Sequence, residues 1–285
     1  MIGVVVMAYG TPASPEELVD YYTHIRRGRP PTEEQVADLR ARYDAIGGMS
    51  PLRRITEAQR DRIADALGDG FAVELGYKHA SPFIEDAQHA LRETGIDRVL
   101  GVVLAPHDSR GSIGEYLERL GADARSLRSW HDLPEWRAFQ AGAVRAALED
   151  MPERSQVVFT AHSLPERVLD GDVYVDELTD AARGIAAEAG LDAGTWSLGW
   201  QSAGRTAEPW RGPDILDVID TVEADGVVVC AQGFTSDHLE VLYDLDIAAS
   251  ERARRRGIRF ARTAMVNDDP TVLGALAERV RSLAA

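Results

Sequence analysis

Ile2-Gly3-Val4-Val5-Val6-Met7-Ala8-Tyr9-Gly10-Thr11-Pro12 and its counterpart Gln156-Val157-Val158-Phe159-Thr160-Ala161-His162-Ser163-Leu164-Pro165 decide how the chain is read. Each is an apolar, largely β-branched run of strand length that ends in a polar turn carrying glycine or proline. Working outward from them, further strands are predicted at Phe71–Gly76, Arg98–Leu104, Thr195–Trp200, Gly226–Cys230 and Arg259–Thr263. Amphipathic helical patterns lie between, at about 15–28, 33–45, 52–68, 82–94, 112–121, 134–149, 174–189, 214–223, 238–256 and 270–283. Pro82, Pro165, Pro213 and Pro270 stand where a first helical turn tolerates a missing N–H. Strand alternating with helix predicts an α/β fold of two doubly wound, Rossmann-like domains with parallel sheets flanked by helices. The pattern reopens after Met151-Pro152-Glu153-Arg154, so the expected division is 1–150 and 151–285. Ligands of open α/β sheets bind outside the carboxyl ends of the strands, which predicts a cleft between the two polar turns.

Composition narrows the function. The 285 residues are 45% hydrophobic and 27% charged, the balance of a globular protein. No apolar run approaches the roughly 20 residues that cross a bilayer, and Ile2–Met7 lacks a basic leader, so a cytoplasmic protein without a transmembrane anchor is expected. A net charge of −16 argues against nucleic-acid partners. Residues 1–60 hold eight Arg and eight acids and are neutral, so an anionic ligand is better received there than elsewhere. Cys230 is the single cysteine, within Val227-Val228-Val229-Cys230, and reads as a core residue.

Two segments carry residues suited to chemistry. His162 leaves a buried strand just before a proline-started helix, a placement that suits either a cleft-facing group or a hydrogen-bonded structural histidine. Ser236-Asp237-His238-Leu239-Glu240-Val241-Leu242-Tyr243-Asp244 follows the strand at 226–230 and opens a helix. Carboxylates there are favoured by the helix dipole, and Asp237 and Asp244 are read that way.

Thr160–Val168 and Ser236–Asp246 together resemble the two signature segments of the ferrochelatases. Further matching stretches are Met7–Pro12, Tyr21–Arg29, Arg42–Leu52, Lys78–Asp86 and Trp200–Asp214, in family order. The resemblance implies insertion of ferrous iron into a porphyrin, with Fe2+ as a substrate and no permanent cofactor. It also implies that His162 and Glu240 face each other across the cleft as the catalytic and metal-handling pair. Two pyrrole N–H protons must leave while Fe2+ sheds water; an imidazole can accept protons or ligate iron, and a carboxylate can bind the cation or relay a proton. Tyr9 matches a tyrosine that the coproporphyrin III branch keeps at this spot, where its phenolate lies axial to the product iron. Arg26, Arg42, Tyr43, Ser50 and Tyr116 carry over as porphyrin contacts. Residues 23–54 hold seven Arg against four acids, which suits a ring with four propionates.

His79 matches a family histidine near the cleft, as a secondary metal position or as a structural residue, and Trp210 as a ring contact or a loop anchor. Asp108, Arg110 and Gly111 depart from the family pattern, which commonly has aromatic or apolar residues there, and predict a more polar cleft lip. Some actinobacterial relatives hold an iron–sulfur cluster on several cysteines; one cysteine predicts none here. The expected partners are coproporphyrin III, ferrous iron and, transiently, the next enzyme of the haem pathway. The alternatives are a protoporphyrin IX ferrochelatase, a cobalt or nickel chelatase of similar architecture, and a non-catalytic haem-binding or handover protein using the same cleft.

Overall fold

The computed structural model describes residues 1–121 and 123–285. Its first sheet is built from β1 (Ile2–Ala8), β2 (Phe71–Tyr77), β3 (Val99–Val103) and β4 (Arg125–Leu127), in the order β2-β1-β3-β4. The second comprises β5 (Ser155–His162), β6 (Trp196–Gln201), β7 (Gly226–Cys230) and β8 (Arg259–Arg262), in the order β6-β5-β7-β8. All pairings are parallel. The two sheets therefore repeat one topology, in which the chain reverses its winding direction beside the first strand of each. That reversal opens a crevice at the carboxyl ends of β1 and β5.

Parallel strands covered by helices on both faces lose the alternation of a half-buried strand and read as continuous apolar runs. Val4, Val5, Val6 and Met7 of β1 and Val227, Val228 and Val229 of β7 are fully buried. The covering helices in the first half are α1 (Leu18–Ile25), α2 (Glu33–Ala45), α3 (Leu52–Leu67), α4 (Ile84–Glu93), α5 (Ile113–Leu120) and α6 (Pro134–Leu148). The second half has α7 (Glu166–Leu169), α8 (Tyr174–Ala189), α9 (Ile215–Thr221), α10 (Ser250–Arg256) and α11 (Pro270–Ser282).

The halves share a core. α11 packs on α3, α6 packs on α8 and β7, and one apolar cluster runs from Val4 and Leu100 through Trp136 to Phe159 and Val280. No helix among the described residues is long and apolar enough to cross a membrane.

Of the four prolines expected in first helical turns only Pro270 begins a helix, for Pro165 is the N-cap of α7 and Pro82 and Pro213 precede the N-caps Phe83 and Asp214, and two elements also differ from the sequence expectation. β4 is three residues long, too short for its period to show. The helix expected over 238–256 forms as a π-helix, Val241–Ala249, running into α10. A π-turn widens the helix by one residue per turn, and such segments concentrate at functional sites.

Candidate active site

β1 ends at Ala8, and the chain beyond it is still tied to the neighbouring strand: the N–H groups of Lys78 and His79 donate to the carbonyls of Ala8 and Tyr9 at 2.8 and 2.9 Å. Gly10 then turns at φ 90°, where a Cβ would lie 2.9 Å from those of Tyr77 and Ala80. Its carbonyl accepts from the Tyr21 hydroxyl at 3.1 Å, and Thr11 Oγ1 meets the Tyr43 hydroxyl at 3.1 Å. These ties fix the backbone beneath Tyr9. Its side chain faces a cavity of about 870 Å³ lined also by Thr23, His24, Lys78, His79 and Arg119, and the residue is 42% exposed. The Tyr9 ring lies 4.6 Å from that of His79, whose Nδ1 is 2.9 Å from Nδ1 of His24. Burial and the Lys78 charge push His79 down to about 3, so it stands as a neutral imidazole.

The opposite wall comes from the end of β5 and the start of the π-helix. Nε2 of His162 lies 3.6 Å from Oε1 of Glu240, and Nε2 of His238 lies 3.6 Å from Oε2. The side chains of His162 and Glu240 are 35% and 38% exposed, so this pair opens to the cleft. Nδ1 of His162 is 2.5 Å from the Ser163 carbonyl, which makes Nδ1 the proton-bearing nitrogen and leaves Nε2 to titrate. Gly233 permits the close packing behind the strand exit, for a Cβ there would sit 2.5 Å from that of Ala161.

Burial opposes the charge on His162, yet the Glu240 carboxylate overcomes it and raises the imidazole to about 8. Burial likewise opposes ionisation of Glu240, and His162 with His238 reverses that and holds its carboxyl far below the usual range. Asp244 is raised to about 6 by burial and by the charge of Glu240, against the Ser202 hydroxyl that donates to it. Ser202 adopts φ 60°, a left-handed conformation uncommon outside glycine, at the exit of β6. Near neutrality the wall thus holds an imidazolium beside a carboxylate, with a second carboxyl able to take up a proton. The Glu240 charge also reaches the opposite wall, where, after burial, it raises Tyr9, Tyr21 and Tyr43.

Of the remaining residues singled out in the sequence, Arg42 stacks its guanidinium 5.0 Å over the Tyr243 ring and pairs with Asp38 at 3.3 Å. Arg205 of the second half pairs with the same Asp38 at 3.1 Å, so α2 reaches across the cleft. Arg26 ends α1, 5.7 Å over the Tyr22 ring, and donates to the Arg29 carbonyl at 3.2 Å; the cavity is lined instead by Arg27, paired with Glu115 at 2.7 Å. Ser50 is buried and its Oγ accepts from the Leu52 N–H at 3.3 Å at the start of α3. Tyr116 is buried beneath Lys78, whose ammonium sits 5.0 Å over its ring and pairs with Glu115. Trp210 folds onto its own loop, donating to Thr206 Oγ1 at 2.8 Å. Sequence reasoning missed the buried Tyr174, whose hydroxyl donates to the His162 carbonyl at 3.1 Å.

The Tyr9 phenol at one strand exit and the imidazole–carboxylate pair at the other lie close enough for the Glu240 charge to be felt at Tyr9. The ferrochelatase family model matches residues 1–284. The chain belongs to the ferrochelatase family. It is similar to the coproporphyrin III ferrochelatase of Geobacillus kaustophilus, 43% identical over 98% of this chain and 94% of the relative. The corresponding enzyme of Halalkalibacterium halodurans is 41% identical over 97% and 95%. Among solved structures, CbiX, described as the terminal enzyme of sirohaem biosynthesis in denitrifying bacteria, aligns with TM-score 0.58 and 17% identity over 98% of each chain. SirB from Bacillus subtilis aligns with TM-score 0.52 and 14% identity over 100% of this chain and 96% of that one. These two share the fold. As a ferrochelatase, the protein catalyses exchange of two pyrrole N–H protons for Fe2+.

Proposed function

We propose that this ferrochelatase inserts Fe2+ into coproporphyrin III, with Tyr9 axial to the product iron and His162 and Glu240 handling protons and metal on the opposite face. The observations that carry the reading are Tyr9 opening onto a large cavity and, at the exit of the other sheet's first strand, a His162–Glu240 pair whose carboxylate charge reaches Tyr9. The cations that a ring with four propionates would meet on the first wall are Lys78, Arg27 and Arg119, which line the cavity and whose partners Glu115 and Glu85 the propionates would have to displace. Arg26, Arg42, Tyr43, Ser50 and Tyr116 are the remaining porphyrin-binding residues of this reading, with Ser50 and Tyr116 supporting the pocket from beneath. The names of the relatives support the same substrate.

In the reaction, iron–nitrogen bonds form as two N–H bonds break. One proton passes to Nε2 of His162 once that nitrogen is free, and the other leaves through Glu240 or Asp244 toward solvent. The two halves are taken as 1–150 and 151–285, the reaction as cytoplasmic, and the iron porphyrin as handed to the next haem-pathway enzyme. Cys230 is fully buried and its thiol is pushed up to about 12 by burial, which supports a chain without an iron–sulfur cluster.

An anaerobic absorbance assay with Fe2+, comparing coproporphyrin III with protoporphyrin IX, tests the proposal. Rapid loss of the free-base bands of coproporphyrin alone is expected. Preference for protoporphyrin would overturn the substrate, and binding of the iron porphyrin without acceleration of metallation would favour a handover protein.

A further inference from the structure

Tyr174 stands at the start of α8, 7% exposed, with its ring 6.0 Å from that of Trp200 and 6.5 Å from that of His107. Its hydroxyl donates to the His162 carbonyl at 3.1 Å. The peptide unit joining His162 to Ser163 is held at its other end too, because the Ser163 N–H donates to the Gln201 carbonyl at 2.8 Å. With that unit clamped, the next carbonyl, of Ser163, is carried to 2.5 Å from Nδ1 of His162. A carbonyl so placed accepts only from a protonated Nδ1, so that in the neutral imidazole Nε2 is the bare nitrogen facing Glu240.

The clamp continues beyond α8. Asp172 has a side chain only 1% exposed. One oxygen, Oδ1, accepts the N–H of Tyr174 at 2.9 Å, and the other, Oδ2, accepts the N–H of Arg110 at 2.8 Å. The Arg110 guanidinium lies 3.6 Å from the same carboxyl through Nε and donates through Nη2 to the Asp170 carbonyl at 2.8 Å. Arg110 belongs to the loop between β3 and α5, in the first half. The polar lip expected from Asp108, Arg110 and Gly111 is therefore a fastening: it binds the loop of one wall to the segment that leads into Tyr174. The buried Asp172 is its centre, and burying a carboxyl is sustained only when its oxygens are this fully bonded.

We propose that Tyr174 is a positioning residue for His162, selecting its Nδ1–H tautomer through the 162–163 peptide, and that Asp172 and Arg110 tie this setting to the opposite wall. The inference rests on the reading of His162 as a proton acceptor of the reaction. Tyr174 touches neither ring nor metal and acts through the backbone alone. Glu240 and Asp244 are the charged groups that face His162 from the π-helix, and Glu240 meets the clamp only through its main-chain carbonyl, which accepts from the Gln201 side chain at 3.5 Å.

The test is Tyr174→Phe, which removes one hydroxyl from a packed ring, together with Arg110→Ala, a change at a side chain 66% exposed. Tyr174→Phe is expected to lower kcat about tenfold, the loss of one aligning hydrogen bond. Porphyrin affinity, read by fluorescence quenching, should stay within about twofold. Side-chain 15N signals of neutral His162 should show only the Nδ1–H tautomer in the wild type and a mixture in the variant. Arg110→Ala should cost about threefold in kcat and nothing further on top of Tyr174→Phe, because the two act in series. An unchanged kcat and tautomer in Tyr174→Phe, additive losses in the double variant, or a kcat that falls only in step with Tm and porphyrin affinity would each overturn the proposal. Failure of the wild type to metallate any porphyrin would instead remove the functional reading, and the 15N spectra would still decide the clamp.

Discussion

The ends of β1 and β5 occupy the same place in the same topology and carry opposite chemistry. At the first, Tyr9 shares its cavity with Lys78, Arg27 and Arg119, each paired with Glu115 or Glu85 of the same lining, while the Tyr21 and Tyr43 hydroxyls hold the turn that follows it. At the second, His162 faces Glu240, with His238 and Asp244 behind. Duplication of an architecture thus supplies two strand exits at a cleft, and the side chains divide the work between them. In the proposed reading one wall supplies the axial oxygen donor and the other takes up cations and protons. A reaction that exchanges two protons for a metal inside a ring needs both, and needs them on opposite faces.

That division can be broken most severely on the second wall. Glu240→Gln keeps the shape and removes the charge, and should lower kcat by about 10²- to 10⁴-fold, the usual range for a lost proton-transfer group. The same change should bring the His162 midpoint down from about 8, since the Glu240 charge is what lifts it against burial; an NMR titration of the histidine reads this directly.

The pH dependence follows with the sign fixed by the same pair. His162 must be unprotonated to accept a proton, so kcat/KM should climb as pH rises through about 8 and level off above it. Below that midpoint each unit of pH should cost about tenfold. A profile that is flat from pH 6 to 9 would show that His162 does not limit the reaction.

On the first wall the effect is smaller and different in kind. Tyr9→Phe should leave coproporphyrin binding within about threefold and retain metallation. It should remove the phenolate-to-iron absorption of the product complex and speed product release, both visible in stopped-flow spectra. A variant that loses metallation while keeping the product spectrum would erase the distinction between the walls. The smallest effect should come from the scaffold: Gly233→Ala pushes a methyl against Ala161 and should lower stability by about 1–3 kcal/mol in urea unfolding.

Much of the fold was legible because parallel strands covered on both faces are continuous apolar runs, and Val4–Met7 and Val227–Val229 cannot be read otherwise. β4, at Arg125–Leu127, escaped because three residues have no period. The π-helix escaped because its apolar spacing differs from that of an α-helix by a single residue per turn. At the site, position alone left His162 open between a cleft-facing group and a structural histidine, and it was the family resemblance of the segments around them that singled out His162, Glu240 and Tyr9. Tyr174 was not, since its partner is a main-chain carbonyl and nothing in residue spacing records a backbone acceptor. Arg27 lines the cavity in place of its neighbour Arg26 because it turns at φ 56° beyond the end of α1, a local event that a helical period does not predict.

The division between the walls is tested most directly by His162→Ala loaded with coproporphyrin III and mixed anaerobically with Fe2+ in a single-turnover experiment. The account predicts that the ring still binds, with its fluorescence quenched as in the wild type, while the free-base absorption bands persist. Metallation at the wild-type rate in that variant would contradict it.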